Sequence, residues 1–211
     1  MTNRIKLLAL TALLLGATSA YADTFSSTLS VFNVSGFTGP FGTVFVNLTS
    51  PTMATITFTA GSGYVLIDSN LADVNLNATS WTTSNLSWST HAGDTNPTIT
   101  ADSGSQNVDG WGVFNQTFGT NSGFGSAVDS FTFTVTNAGS TWASAANVLI
   151  ANALGYDAAA HIAPLSANGL NTGFAAEPGG STPAVPEPSS LALLGTGIVG
   201  AAATIRRRFA S

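Results

Sequence analysis

The chain predicts an all-β protein: an antiparallel β-sandwich or jelly-roll-like domain with one short helix, an amino-terminal signal peptide and a short carboxyl-terminal transmembrane helix. Three observations carry that reading. Threonine, serine and asparagine alternate with apolar residues along one segment after another, the two-residue period of a half-buried strand. Clusters of glycine, asparagine, aspartate and proline separate those segments at strand-length intervals. All five basic residues fall near the two ends (Arg4, Lys6, Arg206, Arg207 and Arg208), outside the patterned region.

Taken in order, residues 1–22 have a basic start at Arg4 and Lys6, an apolar stretch from Leu7 to Leu15, and a small-x-small site at Ala20-Tyr21-Ala22. That is a secretory signal peptide cut before Asp23, with the Sec translocon as its partner. The exported domain is expected over residues 23–176. In residues 54–60 the apolar side chains fall on one face and the threonines on the other; residues 131–136 repeat the scheme, and 43–49 points Val44, Val46 and Leu48 inward. Further strands are expected at 25–34, 64–68, 74–77, 86–90, 98–101, 113–118 and 158–163, with threonine supplying β-propensity on the wet face. Turn clusters lie at 36–42, 61–63, 93–97, 102–110 and 119–125. One segment breaks the two-residue period. Trp142, Ala145, Ala146, Leu149, Ile150, Ala153 and Leu154 follow helical spacing, Ser140 or Thr141 stands where an N-cap belongs, and Gly155 sits at the C′ position. A helix is expected there, with a buried strand at 148–150 as the alternative. Residues 177–185 form a Pro/Gly linker.

Composition excludes several classes of function. Residues 23–185 contain no lysine or arginine and nine acids: Asp23, Asp68, Asp73, Asp94, Asp102, Asp109, Asp129, Asp157 and Glu177. Binding to nucleic acid or anionic lipid needs Lys or Arg against phosphate, so neither partner is expected. There is no cysteine, which removes thiol nucleophiles, Cys–zinc sites and redox chemistry.

Catalytic equipment is sparse. His91 and His161 are the two neutral-pH bases, no H-E-x-x-H or G-x-S-x-G pattern is present, and the region before Glu177 has no glutamate to pair with an aspartate. The chain is not expected to be an enzyme. The loop 102–110 alternates oxygen-bearing side chains among glycines, which makes Asp102, Asn107 and Asp109 a candidate calcium site, although the composition is also that of ordinary turns. No other cofactor is expected. Trp81, Trp88 and Trp111 are candidate sugar-stacking platforms, with core packing as the competing reading, and Trp142 belongs to the predicted helix. Five Asn-x-Ser/Thr triplets arise readily in so threonine-rich a chain and carry little weight.

The tail completes the pattern. Pro186, Glu187 and Pro188 precede fifteen uncharged residues from Leu191 to Ile205, followed by Arg206, Arg207 and Arg208. Fifteen helical residues span roughly 22 Å, short of a ~30 Å hydrocarbon core. Six Leu, Ile or Val side chains supply only about 2 to 4 kcal/mol. This is a weak anchor, and basic residues at both ends place the acidic body outside the cytoplasm.

The residues 185–208, with their Val185-Pro186-Glu187-Pro188 start, Gly/Ala/Leu-rich helix and arginine cluster, resemble the PEP-CTERM sorting signal of Gram-negative bacteria (segment 186–208). The resemblance covers about the last twenty-four residues. It implies processing near Pro186, Glu187 and Pro188 by exosortase, a membrane-embedded transpeptidase-like cysteine protease. It also implies transient anchoring in the inner membrane, then release or attachment at the cell surface of a species rich in exopolysaccharide. The function expected is that of a structural or adhesive component of an exopolysaccharide biofilm matrix, with a carbohydrate-binding module as the alternative.

Overall fold

The computed structural model describes residues 23–120, 122–167 and 170–178. The predicted signal cleavage at Ala20 and Ala22, nearly all of the linker, the sorting motif and the tail helix lie outside the described residues. Among the described residues, no helix is long and apolar enough to cross a membrane.

Fourteen strands are present among the described residues. In the first half they are β1 (Asp23–Leu29), β2 (Val31–Phe32), β3 (Gly42–Ser50), β4 (Met53–Ala60), β5 (Tyr64–Leu66), β6 (Ala72–Val74) and β7 (Trp81–Thr90). The second half holds β8 (Thr100–Ala101), β9 (Gln106–Val108), β10 (Gly112–Phe114), β11 (Gln116–Gly119), β12 (Val128–Asn137), β13 (Tyr156–Pro164) and β14 (Gly173–Pro178). All pairings are antiparallel. The all-β, antiparallel expectation holds.

The pairings close on themselves. β1 pairs β3, β3 pairs β4, β4 pairs β12, β12 meets β5 at Val128–Leu66, β5 pairs β13, β13 pairs β14, and β14 pairs β2. β2 continues β1 after Ser30, whose N–H donates to the Ala176 carbonyl at 3.0 Å. Closure through β2 covers both edges of β14, while β1 itself pairs only β3 and ends the strand path. β7 is added on β12, and β6, β11 and β8 extend from β13, so one sheet folds over on itself instead of two separate sheets packing together.

Alternation decides what each face meets. Along β3, Val44, Val46 and Leu48 are fully buried, and along β4 so are Ala54, Ile56 and Phe58. Phe131, Phe133 and Val135 of β12 point the same way, and across the interior they meet Leu66, Val74, Phe118, Ala160 and Ile162 of the other limb in one cluster. Phe118 is the link, with its ring centroid 5.0 Å from Phe131 and 4.3 Å from Phe133. β13 is buried on both faces, because the β9–β10 hairpin brings Val108 and Phe114 over Ala159 and Ala176. Alanine is the residue that fits a strand covered on both sides.

The residues of the opposite face form three cross-strand ladders, exposed or half-buried except for Thr134, which is buried. They read Thr28–Thr43–Thr59–Ser130–Ser89, Ser26–Phe45–Thr57–Thr132–Ser87 and Thr24–Asn47–Thr55–Thr134–Ser84. None of the fifteen is charged, and Phe45 is the one hydrophobic among them.

Several expectations need correction. The helix predicted from Trp142 is absent; residues 142–154 hold a single 3-10 turn, Ala145–Asn147, and the helical elements among the described residues are all 3-10 turns of three residues. Its backbone bonds go to residues 75–77 instead: Asn77 N–H donates to Val148 O (2.9 Å) and Ile150 N–H to Asn75 O (3.0 Å). Leu76 and Leu149 form an isolated bridge, so the extended alternative was nearer the structure. Trp142 is buried as expected, whereas Ile150 and Leu154 are 49% and 60% exposed. Residues 106–108, read as turn, form β9; the strand expected at 113–118 breaks at Asn115 into β10 and β11; the one expected at 74–77 lies earlier, as β6. β14 was not foreseen and runs to Pro178, past the start of the predicted linker.

Phe133 fills the contact between the limbs, so Phe133→Ala is expected to cost about 3–5 kcal/mol. Urea unfolding checks this, and a loss below about 1 kcal/mol would contradict the packing described.

Candidate functional site: a hydroxyl-lined cleft

After β7 the chain turns at Gly93 (φ 94°) and lies along the segment leading into β12. Three contacts strap it there. His91 N–H donates to Ala127 O at 2.9 Å, Ala127 N–H donates to the Asp94 carboxylate at 3.0 Å, and Thr95 N–H donates to Gly125 O at 3.0 Å. His91 Nδ1 also lies 2.7 Å from Asp129 Oδ1. Between this strap, β8 and the end of β11 lies a cleft of about 390 Å³.

Its walls are polar. Thr95, Asn96 and Thr98 come from the strap, and Thr100 and Asp102 from β8 and the residue after it. Thr120, Ser122 and Ser126 close the opposite side, while Ser69 arrives from the β5–β6 loop. Asp68 and Asn70, on either side of Ser69, adopt positive φ (56° and 55°), the left-handed conformation that Asp and Asn tolerate better than most residues. Gly119 lets this loop approach, since a Cβ there would sit 3.1 Å from the Ser69 Cα. Asn96 is held rigidly: its Oδ1 accepts from Trp88 Nε1 at 2.8 Å and from Thr90 Oγ1 at 2.7 Å. Its amide nitrogen carries no bond among the described residues.

Beneath the cleft stands a pair of carboxylates. Asp73 and Thr117 are direct partners across β6 and β11, and Thr117 Oγ1 donates to Asp102 Oδ2 at 3.1 Å. Asp73 is fully buried, and its Oδ1 accepts from Asn70 Nδ2 at 3.1 Å. Its Oδ2 has no partner among the described residues. Burial raises its pKa well above the carboxylate range; the Asn70 bond opposes this and the nearby Asp102 charge adds to it. Thr120, only 5% exposed, also has an unpartnered hydroxyl.

A second acidic pair lies at the start of β13, next to Ala159, which Asp73 faces from β6. Asp157 is the extra residue of a β-bulge where Ala158 faces Glu177, and each acid is 5% exposed with one unpartnered oxygen. Burial, then the Asp157 charge, pushes Glu177 up to about 7, and burial raises Asp157.

His161 stays in the fabric of the fold. Its Nδ1 lies 3.1 Å from Ser69 O, and its ring tilts against Phe174 with centroids 4.5 Å apart. Burial lowers its pKa, opposed by the Ser69 bond and the Asp68 charge.

The tryptophans are seated inward. Trp81 Nε1 donates to Gln116 Oε1 (2.9 Å), Trp111 Nε1 to Phe174 O (2.9 Å) and Trp142 Nε1 to Asn77 O (2.8 Å). Trp81 and Trp88 pack on the main core, and Trp111 packs edge-on against Tyr156. Of the three candidate platforms, Trp88 alone touches a cleft residue. The suggested calcium ligands are dispersed in role: Asp102 serves the cleft, Asn107 belongs to β9, and the Asp109 carbonyl accepts from Asn33 Nδ2 at 3.2 Å. Among the described residues no three His, Asp or Glu side chains gather as metal ligands. Sequence reasoning missed Asn96, Thr98 and Thr120, since isolated hydroxyls and amides carry no motif.

The family model for the PEP-CTERM protein-sorting motif matches residues 184–208. The chain carries a PEP-CTERM sorting signal. It is therefore an exported protein of the Gram-negative envelope, with exosortase as its processing enzyme. No curated protein and no solved structure matches the chain, so the domain ahead of the PEP-CTERM signal is read from its own geometry.

Two outcomes are expected. Glu177 stays protonated in the fold up to about pH 7 but ionises near 4.5 when unfolded, so its contribution to stability is complete below pH 4.5 and lost as pH rises to about 7. Thermal melts should show a lower Tm at pH 8 than at pH 5, and Glu177→Gln should flatten that slope; a wild-type Tm that rises toward pH 8 would contradict the burial described. Expressed with exosortase, the chain should lose Arg206, Arg207 and Arg208 from its mature mass, and replacing Pro186, Glu187 and Pro188 with alanine should retain them.

Proposed function

We propose that this PEP-CTERM protein is a non-enzymatic structural or adhesive component of an exopolysaccharide biofilm matrix. In this reading it is held transiently in the inner membrane by residues 191–205, cut by exosortase near Pro186–Pro188, and then released or attached at the cell surface. The observation that carries the adhesive role is the outer face of β1, β3, β4, β12 and β7. Its three ladders set hydroxyl and amide groups at the roughly 4.8 Å strand spacing and at the ~7 Å two-residue repeat. Such a face exchanges hydrogen bonds with a polyhydroxylated polymer over many weak contacts, and it is uncharged. Thr57 and Thr132 already bond each other at 2.9 Å, which stiffens the middle ladder.

The cleft supports a second reading, a carbohydrate-binding module of the matrix. Amide and carboxylate groups with a ring of hydroxyls are the partners that sugar hydroxyls need. This version rests on Asn96 and Asp102, with Trp88 positioning Asn96, and Trp81 and Trp111 serve the core.

The test is retention of the full chain on exopolysaccharide from the producing strain. Replacing Thr28, Thr43 and Thr59 together by valine keeps β-propensity and removes three hydroxyls. At ~0.5–1.5 kcal/mol per hydrogen bond, retention should weaken about ten-fold or more. Unchanged retention with the fold intact would refute the sheet-face reading.

A further inference from the structure

We propose that the cleft binds one neutral pyranose unit, presenting a vicinal diol to Asp102, and rejects uronates. The proposal rests on the carbohydrate-binding reading and narrows it to a ligand class.

Size comes first. A volume of about 390 Å³ is at the lower end of small-ligand sites, which suits one or two sugar rings and not a peptide or a nucleotide with its phosphates. The donor and acceptor inventory comes next. Because the Asn96 oxygen is occupied by Trp88 and Thr90, the orientation of its amide is set and the NH₂ is left to donate. Asp102 spends one acceptor site on the Thr117 hydroxyl and keeps the rest of its carboxylate, half-buried in the cleft wall, for incoming donors. Adjacent sugar hydroxyls are a matched pair of donors for a carboxylate, and charge-assisted bonds of this kind are about twice as strong as neutral ones. Thr98 and Thr100, both exposed, can donate or accept as the remaining hydroxyls require. Pro97, buried at the back of the cleft, supplies an apolar surface for ring C–H groups.

Charge selects within the sugars. No lysine or arginine occurs between residues 7 and 205, so no guanidinium or ammonium side chain of the domain can pair with a ligand carboxylate, sulfate or phosphate. A uronate entering the cleft would set its carboxylate against Asp102, with Asp73 behind. Neutral donors alone would be left to offset the desolvation of that carboxylate. A neutral ring meets no such penalty.

The experiment is calorimetric titration of the full chain, held in a detergent without a sugar head group. The probes are neutral tetrasaccharides built from glucose, galactose, mannose and N-acetylglucosamine, and tetragalacturonate as the anionic arm. Saturable binding of at least one neutral probe is expected, with tetragalacturonate at least ten-fold weaker. Asp102→Asn should weaken the neutral probe about ten-fold. Thr98→Val, at an exposed position, should weaken it roughly two- to ten-fold with an unchanged melt. It takes the place of the Asp102 variant if that one proves unstable. Binding of tetragalacturonate as tightly as any neutral probe would overturn the neutral class while leaving carbohydrate binding intact. Absence of saturable binding by every probe would overturn both. Binding indifferent to Asp102→Asn and Thr98→Val in folded protein would remove the cleft as its location.

Discussion

With no lysine or arginine between residues 7 and 205, no acid of the domain can be paired with a Lys or Arg side chain, and much of the structure follows from that. No Arg–carboxylate pair ties strands together. Asparagine takes over the work: Asn75 and Asn77 hold residues 147–150 through both backbone and side chain, Asn115 brackets Leu76 by donating to its carbonyl and accepting from its N–H, and Asn152 caps the turn before β13. Each such bond is individually modest. Together with a closed ring of strands they confine the chain without electrostatic clamps, so the fold should be little affected by salt.

The same constraint leaves a residue of unmet demand. Asp73, Asp157 and Glu177 are buried with an unpartnered oxygen each, and burial raises the pKa of all three. These acids gather around one stretch of β13: Asp73 faces Ala159 from β6, and Glu177 faces Ala158 from β14 beside Asp157. Asp73 lies under the cleft where β6, β11 and β8 extend from β13, and the Asp157–Glu177 pair lies at the bulge just before the chain leaves for the sorting signal.

Strands with a clean Thr/apolar period were legible in advance. β3, β4 and β12 appear where the alternation put them, because one face is wet and the other meets the core. Legibility failed where both faces are buried or where distant segments supply the partner. β14 (GFAAEP) has weak strand propensity and is a strand because β13 and β2 pair with it on either side. The helical spacing from Trp142 is genuine in the sequence, yet the Asn75–Asn77 backbone competes for the same N–H and C=O groups and takes them. Of the candidate site, Asp102 was visible as an acid in a Gly-rich loop and Trp88 as an aromatic. Their roles were not, since the hydroxyls that complete the cleft come from segments spread over residues 69–126.

By itself the sequence determined the address and the chemistry: a PEP-CTERM terminus, an acidic body without lysine or arginine, and strands with threonine outward. These are local or compositional properties, readable without knowing what touches what. Tertiary structure alone decided that the sheet closes through β2 and β14, that the tryptophans turn inward, and that Asn96, Asp102 and Thr120 share one cleft. Each of those outcomes depends on pairing between residues far apart in the chain, and a two-residue period says which face a side chain takes but not which strand it will meet.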